Sequence, residues 1–190
     1  MPDTKRDRRR VAILISGRGS NMRALVDQAA NYRVALVASN KPAAPGLDWA
    51  RERGLETWAQ DSKGIDKETF DRWLSAVLDD HCIGTIALAG FMRILSPWFV
   101  EQWSGRILNI HPSLLPSYRG LDTHARAIAA GDRVAGCSVH LVTAELDAGE
   151  VLARAQVPVE PGDTAATLQA RVLVAEHALY PRVMNDFVAR

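Results

Sequence analysis

The sequence predicts an α/β domain, a mainly parallel twisted sheet with flanking helices that ends in an antiparallel strand pair. Three observations predict it. Short, wholly apolar runs alternate with segments of helical period, and strands apolar on both sides belong to a parallel sheet covered on both faces. The first such run opens through a glycine-containing loop straight into an amphipathic segment, the strand, loop and helix order of Rossmann-like sheets. Toward the end, two alternating segments follow one another with no helix between them, so they should pair antiparallel.

Taken in order, Val11-Ala-Ile-Leu-Ile15 is the first strand, Ser16-Gly-Arg-Gly-Ser-Asn21 the loop, and Met22, Leu25, Val26 and Ala29 the apolar stripe of the first helix. Val34-Ala-Leu-Val-Ala38 repeats the strand pattern and runs into Ser39-Asn-Lys-Pro42. Leu47 and Ala50, with Gly54 as a stop, outline a short second helix. Phe70, Trp73, Leu74, Val77 and Leu78 form the next stripe, and Thr85-Ile-Ala-Leu-Ala89 the next buried strand, closed by Gly90. Arg106-Ile-Leu-Asn-Ile-His111 differs from these strands because it carries Asn109 and His111 among apolar residues. Cys137–Thr143 and Val151–Val157 are the alternating pair, joined through Glu145-Leu-Asp-Ala-Gly149. Thr164 is the expected N-cap of a long closing helix bearing Leu168, Val172, Ala175 and Leu179.

At 190 residues and 47% apolar content, the chain has the size and core of one domain, expected over residues 11–190. Residues 1–10, with Lys5, Arg6, Arg8, Arg9 and Arg10, read as a flexible, solvated basic head. A net charge of +1, from 23 Lys and Arg against 22 Asp and Glu, gives no reason to expect nucleic acid as a partner. No stretch approaches the roughly 20 apolar residues that span a bilayer, and the head lacks the order of a signal peptide, so the expectation is a cytoplasmic protein without a membrane partner. Cys82 and Cys137 form no CxxC, and no histidine shows metal-ligand spacing; free thiols and no metal are expected.

Gly17-Arg-Gly-Ser-Asn21 stands where backbone N–H groups and a helix dipole can hold a phosphate. A dinucleotide site would want a third Gly at Met22 and an acid at Ser39 or Asn40, and neither is present. Asn109 and His111 are two apart on a strand, so both side chains project to one side near the end where open α/β sheets place their ligands. Asp147 reads as an ordinary turn residue, and spacing alone does not bring it to His111. The residues by themselves therefore reach an anion loop and a polar strand end.

The run Leu108-Asn-Ile-His-Pro-Ser-Leu-Leu-Pro116, with Gly120 and Thr123-His124, resembles the signature of the folate-dependent formyltransferases. The likeness extends to Ile15–Asn21, Ala89-Gly-Phe-Met-Arg-Ile-Leu-Ser-Pro97, Glu145–Gly149 and Glu176-His-Ala-Leu-Tyr-Pro181, and it is nearest to the branch acting on glycinamide ribonucleotide. The resemblance implies the formyltransferase fold and a purine-pathway reaction: the formyl group of the co-substrate 10-formyltetrahydrofolate passes to the amine of phosphoribosylglycinamide, with no metal. It implies Asn109, His111 and Asp147 as the catalytic set, and Gly19, Ser20, Asn21 and Glu176 as contacts to the phosphorylated substrate. Lys67, Met92, Arg93, Ile94, Leu95 and Asn109 are implied as the folate side. Lys67 stands where the family often has Arg, which keeps the charge and loses the planar fork that grips a carboxylate. The partners are thus small molecules, and a homodimer is compatible with the sequence. Methionyl-tRNA formyltransferase and formyltetrahydrofolate hydrolase are the neighbouring alternatives, and a non-catalytic nucleotide-binding module is the remaining one.

Overall fold

The computed structural model describes residues 6–190. Their order is β1 (Asp7–Ile15), α1 (Ser20–Asp27), β2 (Arg33–Ser39), α2 (Pro45–Glu52), β3 (Thr57–Ala59), α3 (Lys67–Asp80) and β4 (Ile83–Leu88). Then come α4 (Pro97–Gln102), β5 (Ile107–His111), α5 (Thr123–Ala129), β6 (Val134–Leu141), β7 (Val151–Pro158) and α6 (Ala165–Val188). The seven strands form one sheet in the order β3-β2-β1-β4-β5-β6-β7. β1 pairs parallel with β2 and β4, and β4 parallel with β5, whereas β6 pairs antiparallel with both β5 and β7. The expected sheet and its antiparallel close are therefore present.

The apolar strands are explained by burial on both faces. In β1, Val11, Ile13 and Ile15 enter one core with Met22, Leu25, Leu47 and the buried face of α6, while Ala12 and Leu14 enter the other with Phe70, Leu74, Phe99 and Trp103. Successive side chains alternate across the sheet, so a strand with a core on each side carries no polar face. α6 starts as expected: the Thr164 side chain accepts from the Thr167 N–H, with the return bond completing a capping box. Gly54 follows α2 at φ +70°, the left-handed stop that glycine supplies.

The head departs from expectation. Residues 7–10 are the first part of β1, with Asp7 in register with Ile83 and Arg10 with Arg33. Their arginines are held by specific contacts: Arg6 pairs with Asp79 at 2.7 Å and lies 3.7 Å over the Trp103 ring, and Arg8 lies 4.3 Å over Phe187. Arg10 Nε donates to the His81 carbonyl at 2.8 Å. Long basic side chains can cover apolar surface with their stems, so a charged run is compatible with a strand. Lys5 and the rest of the expected head lie outside the described residues.

From β1 the chain moves to β2 on one side and later returns to β4 on the other. The loops after β1 and β4 thus leave neighbouring strands at their carboxyl ends, the crevice where sheets of this kind bind ligands. No helix among the described residues is long and apolar enough to cross a membrane.

Candidate active site

The first corner is the loop after β1. Gly19 is the N-cap of α1 at φ +70°, and no side chain caps that helix. Its first backbone N–H groups are therefore turned toward the loop, as anion binding requires. Asn21 is buried, and its Nδ2 donates to Glu176 Oε2 of α6 at 2.6 Å, while Asn21 Oδ1 is buried without a partner. Glu176 is 7% exposed. Burial pushes its carboxyl above the usual range, opposed by the single bond from Asn21. Gly19, Ser20, Asn21 and Glu176 are thus one corner, although α6 lies at the far end of the sequence.

The second corner gathers around β5. In register, Asn109 stands opposite His140 of β6, and His111 opposite Ser138. Asn109 Nδ2 lies 3.2 Å from His140 Nε2. Asp147, from the β6–β7 connection, places Oδ2 at 3.4 Å from His111 Nδ1 and Oδ1 at 3.5 Å from His140 Nε2. The Gly120 N–H donates to Asp147 Oδ2 at 2.9 Å. Burial raises the Asp147 carboxyl, but the contact with His140, the Gly120 N–H and the His111 ring outweigh it and hold it below the usual range. The fold therefore brings together Asn109, His111 and Asp147, and it adds His140.

His140 is not among the site residues expected from the sequence. Its signal was available: Ser138 and His140 are a polar pair two apart on an otherwise apolar strand, the same pattern as Asn109 and His111. Its Nδ1 lies 2.9 Å from the Leu141 carbonyl, which fixes the ring with Nε2 facing Asn109 and Asp147.

The residues after β5 fold back over the histidine. His111 Nε2 lies 2.9 Å from the Tyr118 carbonyl, so both ring nitrogens face acceptors of the protein itself. Arg119 pairs with Glu145 at 2.7 Å, tying this segment to the connection that carries Asp147. That connection is set by Gly149, where a Cβ would run into the Leu141 carbonyl. Only glycine permits so close an approach of backbone to backbone.

The third corner is the exit from β4. Met92 and Ile94 are 66% and 65% exposed, large apolar side chains available to a flat ligand. Leu95 differs, since its side chain is buried in the core with Phe70 and Phe99. The Arg93 guanidinium is also committed inward, donating to the carbonyls of Ser62, Ile65 and Asp66 and lying 4.8 Å from the Phe70 ring. Lys67 is the first residue of α3, exposed beside the N-cap Asp66. Among the described residues, no group of three or more His, Cys, Asp or Glu side chains is arranged to hold a metal ion.

The chain is similar to known proteins in sequence and in fold. The formyl transferase family matches residues 9–184. The phosphoribosylglycinamide formyltransferase of Escherichia coli (strain K12) is 47% identical over 182 residues, which is 93% of this chain and 86% of that protein. The human trifunctional purine biosynthetic protein adenosine-3 is 45% identical over 181 residues, and the chain spans only 18% of its length. Among solved structures, the phosphoribosylglycinamide formyltransferase of Brucella melitensis superposes with a TM-score of 0.90 at 48% identity, covering 96% of each chain. The glycinamide ribonucleotide transformylase 1 of Geobacillus kaustophilus superposes at 0.91 and 35% identity, covering 95% of this chain and 98% of that one.

Proposed function

The chain belongs to the formyl transferase family, and from that premise we propose that it moves a formyl group from 10-formyltetrahydrofolate to the amine of phosphoribosylglycinamide, in the cytoplasm, as a step of purine biosynthesis. The observation that carries the reading is the cluster of Asn109, His111, Asp147 and His140 at β5 and β6, on the same sheet as a phosphate-type loop after β1 and an exposed apolar exit from β4. In this reading residues 11–190 are the catalytic domain, joined by the start of β1.

The substrate amine attacks the formyl carbon, a carbon–nitrogen bond forms, and negative charge grows on the formyl oxygen. As the intermediate collapses, the bond from that carbon to N10 of the folate breaks, and the proton lost by the amine ends on N10. The amide of Asn109 and a ring N–H of His111 supply donors for the oxygen, a service most effective in a preorganised, desolvated site. His140 fixes the rotation of the Asn109 amide, and Asp147 fixes the plane of the His111 ring. Donation from His111 Nε2 to substrate exchanges its bond to the Tyr118 carbonyl for a bond to the formyl oxygen. His111 or a water carries the proton to N10.

Gly19, Ser20 and the N-terminus of α1 hold the phosphate, with Glu176 on the ribose. Met92 and Ile94 offer apolar side chains to the folate ring, and Leu95 contributes through its backbone. Lys67 attracts the folate's glutamate carboxylates as a point charge. Arg93 shapes the folate side by bracing the segment before α3.

The competing reading within the family is hydrolysis of the formyl donor. Purified protein incubated with 10-formyltetrahydrofolate, with and without the ribonucleotide acceptor, separates the two. A transferase releases tetrahydrofolate only when the acceptor is present; formate release at the same rate without acceptor contradicts the proposal.

A further inference from the structure

Ser16 and Asn40 belong to no corner of the site, yet both are buried polar residues at strand ends, 7% and 4% exposed. Ser16 separates β1 from the glycine loop. Its Oγ donates to Asn40 Oδ1 at 2.5 Å and accepts from the Met92 N–H at 2.7 Å, while its own N–H donates to the Gly90 carbonyl at 3.2 Å. Asn40 passes the chain on, with Nδ2 donating to Ser62 Oγ at 3.3 Å and its carbonyl accepting from the Ser62 N–H at 3.3 Å. Ser62 in turn gives its carbonyl to Arg93, which also braces Ile65 and Asp66 ahead of Lys67. One hydroxyl therefore stands between the loop that holds the phosphate and the loop that faces the folate, and the chain closes on itself through Arg93.

We propose that Ser16 and Asn40 are positioning residues that hold the acceptor loop, Gly17–Asn21, in register with the folate-side loop, Met92–Leu95, through the hydrogen-bond chain Met92–Ser16–Asn40–Ser62, buried at its Ser16–Asn40 link. The inference rests on the function proposed above, which puts the two reactants on those two loops. A hydroxyl has one proton to give, and here it is committed to Asn40, leaving its lone pairs to Met92. Among the described residues, Ser16 alone bridges the ends of β1, β2 and β4 in this way. Transfer between two bound molecules depends steeply on their relative placement, and a displacement of about 1 Å can cost on the order of 10²-fold in rate. Removing the hydroxyl takes this partner from the Met92 N–H and from the buried Asn40 Oδ1, so the two loops lose their common anchor while each keeps its own internal contacts.

The test compares Ser16→Ala, Asn40→Ala, Ser62→Ala and Ser16→Thr with the parent chain. Turnover at saturation should fall about tenfold or more for Ser16→Ala and Asn40→Ala, with the affinity for each substrate measured alone little changed. Ser16→Thr, which keeps the hydroxyl, should recover most of the turnover. Ser62→Ala, at a half-buried position that folds readily, should show a smaller fall. Amide hydrogen exchange at Met92 should quicken in Ser16→Ala, a readout that needs no catalysis.

Parent-like turnover in Ser16→Ala, or a loss confined to melting temperature, overturns the proposal; so does unchanged exchange at Met92. If Ser16→Ala does not fold, parent-like turnover in Ser62→Ala overturns it instead. A parent chain that transfers no formyl group contradicts the proposed function, whereas the Met92 exchange still decides whether Ser16 anchors the two loops.

Discussion

Two buried carboxylates, Glu176 beside the glycine loop and Asp147 beside His111, are pushed in opposite directions by the same fold. Glu176 receives one hydrogen bond, from Asn21, and burial prevails, so its carboxyl titrates above the usual range. Asp147 meets the Gly120 N–H and two histidine rings, and these prevail over burial, so it titrates below. What decides is the number of donors and cations per carboxylate rather than depth alone. Asp147 is fitted to remain an anion that orients a histidine, and Glu176 has acceptor capacity left for a ligand's hydroxyls.

The comparison breaks most visibly in catalysis. His111→Ala, Asn109→Ala and Asp147→Ala should each lower turnover by about 10²–10⁴-fold with the fold intact, and in combination by less than the product. His140→Ala, which strips a partner from both Asn109 and Asp147, should fall short of these losses yet exceed any loss at the phosphate corner. Steady-state turnover of the purified variants measures this, and near-parent turnover in any of the first three removes that residue from the mechanism.

The phosphate corner should respond in binding instead. A Cβ on Gly17 meets nothing within 4 Å, unlike one on Gly19, which would be strained at φ +70° and press on Met22. Gly17→Ala should therefore keep the parent melting temperature while raising the KM of the phosphorylated acceptor, with the folate KM unmoved. Equal rises in both constants would place the phosphate elsewhere.

Stability against pH sharpens the contrast further, because the two carboxylates carry opposite signs. Glu176 has a raised folded pKa, so the parent is penalised when this group ionises, and Glu176→Gln should melt a few degrees higher at neutral pH. That advantage should shrink as the pH falls through the raised folded value and vanish below the unfolded value of about 4.3. Asp147 has a lowered folded pKa and contributes stability above its unfolded value. Asp147→Asn should therefore melt lower than the parent at neutral pH and converge with it as the parent's stability is lost in acid. Thermal melts across pH decide it, and shifts of the same sign in both variants would mean that depth alone governs.

The smallest effect belongs to Lys67. An exposed point charge meeting flexible carboxylates contributes modestly and is screened by salt. Lys67→Ala should raise the folate KM a few-fold, less so at high ionic strength, with turnover nearly unchanged. A large fall in turnover at saturating folate would show that Lys67 supports the catalytic corner.

The contiguous parts of this molecule were legible in its sequence. The glycine loop, the polar end of β5 and the antiparallel close of the sheet each express their geometry within a few neighbouring residues. The parts assembled across strands were not, since Asp147 reaches His111 only through the β6–β7 connection, and His140 reaches Asn109 only through the antiparallel register. The short elements escaped for a different reason. β3 has three half-buried residues and gives no period, whereas α4 carries Ser96 as N-cap and Pro97 in its first turn, but its six residues are too few to express a helical stripe. The basic start of β1 was hidden because charge reads as solvent exposure, while Arg6 and Arg8 lie on aromatic rings.

The central claim is that the phosphate corner and the catalytic corner serve one acceptor, anchored by its phosphate and formylated at its amine. It is tested most directly by presenting one labelled formyl donor to three acceptors side by side: glycinamide ribonucleotide, the dephosphorylated riboside and methionyl-tRNA. The account predicts strong labelling of the ribonucleotide, weak labelling of the riboside and none of the tRNA, because a net charge of +1 offers no extended basic surface for a phosphate backbone. Equal use of riboside and ribonucleotide, or efficient labelling of the tRNA, would contradict it.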